Sequence, residues 1–379
     1  MPRQTRPDDV CVTGMAWNTP LGDTLDGVWR RLLAGDSGVA ETPCPYPVLN
    51  TLAATVPQPP ADATPTERQT ALAAGVLAAA FASAGLDPAA PGLRVVLGTS
   101  FGPLLDDPFE AADDWAVEAA RRSGHPHRPV SVSTACSAGS DSVLLAAELV
   151  RAGYADVCVA AGVDVLTLGK RLGHSALGTM SADRLRAFDE RHSGMLLGEG
   201  AAALVLERAS SARGRSAPVH AVLSGAGSAN DAAGLTAPDP SGESVVLAVR
   251  RCLAAAGRTP QDVAVLNAHA TGTTVNDAVE SASLGRLFAD ADRRPLVFAT
   301  KGALGHSLGA TGAIEAVSVV LALRDGRVPA VHGLERPMAG FPLPLATGGP
   351  ARFEGDLGAS LTIGFGGFNT CLLFERVAR

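Results

Sequence analysis

No run of about twenty uncharged apolar residues occurs in this chain, so a membrane-spanning helix is not expected. Residues 1–9 mix proline with charge and lack the apolar core of a secretory signal. The six cysteines (11, 44, 136, 158, 252 and 371) contain no C-x-x-C pair and no metal-ligand spacing. Most stand in apolar runs, which fits reduced thiols in a cytoplasmic protein without a bound metal. Positive charge is also in short supply: 31 Lys and Arg against 38 Asp and Glu leave a net charge of −7. Neither nucleic acid nor an anionic membrane is therefore the expected partner. Charged residues make up only 18% and hydrophobic ones 46%, the balance of a chain with a large core rather than a disordered one.

Alanine-rich helical stretches alternate with short Val/Leu runs, the pattern of α/β layering. A weak internal duplication runs through it. Residues 11–14 have a counterpart in 221–225, 94–98 in 263–267, 130–136 in 297–306, and 156–162 in 360–366. Each half closes on a run ending in Glu-Arg, at 207–208 and at 375–376. The patterning predicts a duplicated α/β fold with halves at 1–210 and 211–379, joined through the Ser/Arg/Gly-rich stretch 209–218.

Within that frame Cys136 sits in Ser-Thr-Ala-Cys-Ser-Ala-Gly-Ser (133–140), after a β-rich run and before an apolar helical stretch. Unpaired N–H groups at a helix start favour thiolate and can cradle an oxyanion. An isolated cysteine more often only fills space. Two later segments tip the balance. His269 lies in Asn-Ala-His-Ala-Thr-Gly-Thr (267–273), and His306 lies in Lys-Gly-Ala-Leu-Gly-His-Ser-Leu-Gly-Ala-Thr-Gly (301–312), each after a short strand-like run. Both histidines stand among glycines and hydroxyls, as loop chemistry on a rigid scaffold does.

The Cys136 elbow and the two histidine motifs, in that order, resemble the β-ketoacyl synthase family, the condensing enzymes of fatty acid and polyketide synthesis. The resemblance extends over nearly the whole chain, through Val12-Thr13-Gly14-Met15, Phe188-Asp189, Gly198-Glu199-Gly200-Ala201, Thr236-Ala237-Pro238-Asp239-Pro240 and Gly364-Phe365-Gly366-Gly367-Phe368-Asn369. It implies the thiolase-like five-layer αβαβα fold. It also implies roles: Cys136 as the acyl-carrying nucleophile, and His269 and His306 as donors to the malonyl thioester. Lys301 would orient the site with Glu315 as its partner, and Glu280 would be a second supporting carboxylate. Thr271 and Thr273 would hold the phosphopantetheine arm, and Phe365 would gate the acyl pocket.

The implied reaction is decarboxylative condensation of a Cys-bound acyl group with malonyl-acyl carrier protein, with an acyltransferase to an alcohol or amine as the alternative. No cofactor is needed beyond the phosphopantetheine that the acyl carrier protein brings. The chain would work as a homodimer or beside a ketosynthase-like subunit. Arg121, Arg122, Arg128, Arg184 and Arg186 are candidate docking residues for the carrier, against the alternative of a solvated face. Two departures from the family pattern bear on the loops: Ala270 replaces the usual glycine after the first histidine, and the stretch 98–136 is short.

Overall fold

The computed structural model describes residues 4–57, 63–107 and 111–378. Ten strands share one sheet. In chain order they are β1 (Val10–Asn18), β2 (Leu93–Gly98), β3 (Val130–Val132), β4 (Val157–Asp164) and β5 (Gly200–Arg208), then β6 (Ala221–Asn230), β7 (Val265–Asn267), β8 (Leu296–Phe298), β9 (Leu357–Ile363) and β10 (Phe368–Glu375). Their spatial order is β3-β2-β4-β5-β1 followed by β6-β10-β9-β7-β8. The second five repeat the first five as a mirror series, with parallel and antiparallel pairings in the same places. The halves meet where β1 and β6 pair through Cys11, Val12, Ala221 and Val222.

Runs such as Val-Cys-Val-Ala-Ala-Gly-Val-Asp in β4 are buried along their whole length, because helices cover both faces of the sheet. Helices α1 (Pro65–Ala84) and α2 (Asp114–Arg122) lie outside the first half, and α5 (Glu243–Ala255) and α6 (Thr274–Leu287) outside the second. Between the halves run α3 (Ala138–Arg151) and α7 (Thr311–Asp325), packed against each other and against strands of both. These are the five layers of the thiolase-like fold. Helix α1 shows how sequence starts and stops such an element: Thr64 accepts a hydrogen bond from the Glu67 N–H, Pro65 opens the first turn, and Gly85 closes it in the left-handed conformation. None of the helices among the described residues is long and apolar enough to cross a membrane.

The central layer is tight. A Cβ on Gly139 at the start of α3 would stand 2.7 Å from the Ala313 nitrogen and 2.8 Å from the Gly309 oxygen, so α3 and α7 approach closely only because no side chain intervenes.

The register of the duplication needs two corrections. Val157 pairs with Glu207 and Leu357 pairs with Glu375, so 156–162 answers to 356–362, four residues earlier than the repeat read from sequence. The equivalent of Cys136 is Gly309, not His306: Ala135 and Leu308 both take positive φ, 51° and 48°, immediately before them. The connection after β8 is longer than that after β3, and its extra residues hold Lys301 and His306. One half thus carries a cysteine at the position where the other carries a glycine.

Candidate active site

Cys136 lies in the turn Ala135–Ser137 between β3 and α3, only 5% exposed. Two hydroxyls brace the turn: Thr134 and Ser137 both donate to Asp141 Oδ2, at 2.6 and 2.7 Å. Burial pushes the thiol up to about 11. The Lys301 charge and the Phe365 N–H pull it down, while Asp164 and Glu315 push it further up. Removal from water therefore works against the thiolate that the helix start favours.

His269 follows β7 and His306 occupies the long connection after β8. Their rings meet edge to face, with centroids 5.3 Å apart. Burial, and after it the Lys301 cation, hold both pKa values well below the usual range for histidine, so both imidazoles are neutral. Thr311 Oγ1 lies 3.0 Å from His306 Nδ1 and 3.1 Å from Ser307 Oγ. Where Thr311 donates to Nδ1, the His306 proton rests on Nε2. Lys301 donates to Glu315 Oε1 at 2.6 Å, both side chains 1% exposed. Burial raises the Glu315 carboxyl against the opposing pull of Lys301.

Glu280 fixes the histidine loop. Its Oε1 accepts the His269 N–H at 2.7 Å and its Oε2 accepts the Ala270 N–H at 2.8 Å, with Asn276 Nδ2 at 3.2 Å from Oε2. That clamp explains the alanine. Ala270 has φ +48°, a left-handed conformation that costs a residue with a Cβ roughly 1–2 kcal/mol, and two charge-assisted bonds hold the loop there. Burial pushes Glu280 up to about 7. Asp277 completes the support by accepting N–H bonds from Phe188 (2.7 Å) and Gly272 (3.1 Å).

Two cavities meet at Cys136 and Phe365. One, of about 250 Å³, is lined by His269, His306, Thr271 and Thr273, the two threonine hydroxyls lying 2.9 Å apart. The other, of about 390 Å³, extends past Ser100, Phe101, Leu105 and Phe368. Cys136, His269, His306, Thr271, Thr273 and Phe365 line these cavities, Glu280 bonds the His269 and Ala270 N–H groups, and Lys301, paired with Glu315, acts on Cys136 and both histidines through its charge. The five candidate docking arginines line neither cavity. Arg121 and Arg122 pair with Glu118, Arg122 also with Glu67, Arg128 with Asp113, Arg184 with Glu335 and Arg186 with Asp183. All five are already paired with carboxylates and Arg186 is largely buried, which reduces the charge they offer to a carrier.

Sequence reasoning missed the far side of the nucleophile. The chain has only two lysines, and both are buried beside the site. Lys170 donates to Asp164 Oδ1 and to the Val165 carbonyl (2.7 Å). Asp164 Oδ2 accepts from the N–H groups of Ser100 (3.0 Å) and Gly309 (2.9 Å). The composition carried the signal: with two lysines against 29 arginines, each lysine occupies a chosen place. Among the described residues no His/Cys/Asp/Glu cluster could hold a metal ion.

Fold and site together define the thiolase-fold class with a Cys-His-His centre. Residues 7–212 match the β-ketoacyl synthase N-terminal domain and 220–335 its C-terminal domain, and the chain belongs to the β-ketoacyl synthase family. It is similar to 3-oxoacyl-[acyl-carrier-protein] synthase 2 of Coxiella burnetii, 29% identical over 97% of this chain and 98% of that one. With the Rhizobium meliloti protein of the same description it shares 35% identity over 254 residues, 65% of this chain and 60% of that protein's length. A solved β-ketoacyl synthase from Burkholderia phymatum superposes with a TM-score of 0.88 at 27% identity, covering 98% of this chain and 100% of its own.

Proposed function

We propose that the protein is a β-ketoacyl-[acyl carrier protein] synthase, condensing an acyl group on Cys136 with malonyl-acyl carrier protein. The observation that carries this reading is the pair of neutral histidines facing the buried thiol across one cavity. In the first half-reaction Cys136 sulfur attacks the acyl thioester, aided by an oxyanion hole made of the Cys136 and Phe365 N–H groups. The thiol proton leaves with the pantetheine sulfur, so the exchange balances without an outside acid or base.

In the second half-reaction malonyl thioester loses carbon dioxide, and negative charge gathers on its carbonyl oxygen. Neutral Nε2–H donors from His269 and His306 meet that oxygen without needing to be protonated first. Each such preorganised donor supplies about 2.7–4 kcal/mol in comparable sites. The carbanion attacks the acyl carbonyl, Cys136 leaves as thiolate and takes up a proton. The high affinity of the buried sulfur for that proton returns the enzyme to its resting thiol. Lys301 with Glu315 orients the histidines electrostatically, Glu280 holds the His269 loop, and Thr271 and Thr273 receive the phosphopantetheine arm.

Residues 1–210 supply the nucleophile and 211–379 the histidines. The exposed apolar side chains of Phe101, Leu105 and Val130 near the larger cavity fit a second ketosynthase-like chain, identical or not. Six free cysteines fit a reducing compartment, the cytoplasm. A plain acyltransferase to an alcohol or amine would have no use for two enolate donors. Carboxyl-labelled malonyl-acyl carrier protein tests the reading: labelled carbon dioxide should be released in step with β-ketoacyl product. Acyl transfer without that release would refute condensation.

A further inference from the structure

The larger cavity at Cys136 is mostly apolar, yet one of its walls is not what a plain hydrocarbon chain calls for. That wall is the helix Leu168–Ala176. Lys170 and His174, one turn apart, face the cavity together, with Gly173 beside them and Leu177 just beyond. Such spacing puts them on one helical face, so the polar stripe belongs to the cavity and not to the surface.

The lysine is spent. Its ammonium is occupied by Asp164 and the Val165 carbonyl, so the cavity presents no free cation and no place for a carboxylate. His174 is different. Its Nδ1 lies 3.0 Å from Thr179 Oγ1, whose single proton goes to the His174 carbonyl at 3.2 Å, so Nδ1–H donates and Nε2 is left as an acceptor; the ring rests on Phe365 with centroids 5.8 Å apart and planes at 35°. Both contacts fix the ring. Its other nitrogen, Nε2, has no protein partner among the described residues. Burial, and after it the Lys170 charge, push the imidazole down to about 4, so a neutral ring with one unused hydrogen-bonding nitrogen stands in the wall. Preorganised polar atoms of this kind in an otherwise apolar pocket set ligand orientation and choice.

We propose that His174 is a specificity-determining residue for the acyl group, and that the group loaded on Cys136 carries a hydroxyl along its chain rather than being a plain saturated alkyl chain. This rests on the reading of Cys136 as the acyl carrier. A saturated chain lying against His174 would strip water from Nε2 and give nothing back, whereas a hydroxylated chain replaces the lost hydrogen bond. A carboxylated chain would meet neither a cation nor a protonated imidazole.

The test loads the full-length enzyme with pantetheine thioesters of one length: octanoyl, 3-hydroxyoctanoyl, 5-hydroxyoctanoyl and 7-hydroxyoctanoyl. Acyl-enzyme formation is followed by intact mass, giving kcat/KM for each. At least one hydroxylated probe should load roughly tenfold or more faster than octanoyl, the discrimination that one unmade buried hydrogen bond produces. His174→Phe keeps an aromatic ring against Phe365 and should erase that preference, bringing the favoured probe down to the octanoyl rate. His174→Gln, which restores a hydrogen-bonding group, should recover part of it. Equal loading of all four probes by the wild type would overturn the proposal, whether or not the variants fold. A preference that survived in a folded His174→Phe enzyme would overturn it as well. Failure of every probe to acylate Cys136 would instead overturn the function proposed above, and this inference with it.

Discussion

Alkylation of Cys136 should titrate near pH 11. Burial and its neighbours move the thiol from 9.0 to about 11, and two pH units correspond to about 2.7 kcal/mol against the thiolate. The helix start works in the opposite direction, but such effects are typically about 0.3–1 kcal/mol and reach about 2 in partly buried cases. Burial wins that comparison. At pH 8 about one Cys136 in a thousand is then ionised. The iodoacetamide rate at this residue should climb roughly tenfold per pH unit between pH 7 and 10 without levelling off. Lys301 is the leading influence that lowers the thiol, so Lys301→Met should slow alkylation further at every pH. Peptide mapping must resolve Cys136 from Cys44, the one cysteine that is not buried, because Cys44 will react in the same experiment. A Cys136 rate that reached its plateau below pH 8 would refute the reasoning and restore the helix start as the dominant influence.

His269→Ala and His306→Ala should each lower malonyl decarboxylation by roughly 10²–10³-fold while Cys136 still takes up an acyl group; equal loss of both half-reactions would show that the histidines serve the thiol instead. Glu280 is raised on folding to about 7 from 4.5, so its contribution is complete below about pH 4.5 and declines as pH rises through 7. Taken alone, that carboxyl lowers stability by about 1 kcal/mol between pH 6 and pH 8, against the opposite trend of His174, His269 and His306, whose lowered values add stability as pH rises. Urea unfolding at the two pH values should therefore show Glu280→Gln gaining about 1 kcal/mol more than the wild type from pH 6 to pH 8; equal changes in the two proteins would refute the role of Glu280. Gly139→Ala would drive a methyl into the backbone of α7 and should cost about 1–3 kcal/mol together with much of the acylation rate; an unchanged urea midpoint would mean that α3 and α7 can part to admit a methyl at no cost.

The linear chain determined a good deal by itself. Alternating alanine-rich helices and Val/Leu strands, repeated once, required two sheets' worth of strands with helices on both faces, because continuous apolar strands cannot face water. The motifs around Cys136, His269 and His306 announced their residues because small neighbours and strand-to-loop positions are local features. Lys301, Glu315 and Glu280 were legible only through resemblance, since nothing local tells a buried carboxylate from a surface one on a helix. Tertiary structure alone decided the rest. Depth of burial made Cys136 a resting thiol, an effect that depends on how much water the surrounding layers exclude. The Glu280 clamp, reaching back from α6 to two N–H groups, decided that alanine could stand where φ is positive at 270. Pairing, local for Arg121 and Arg186 and across long sequence distances for Arg122 with Glu67 and Arg184 with Glu335, set a carboxylate beside each of them. Most of all, folding brought the helix 168–176 alongside Cys136, so that Lys170 and His174, unremarkable in the linear sequence, became part of the wall of the larger cavity. Contacts between elements, not patterns within them, create that kind of site.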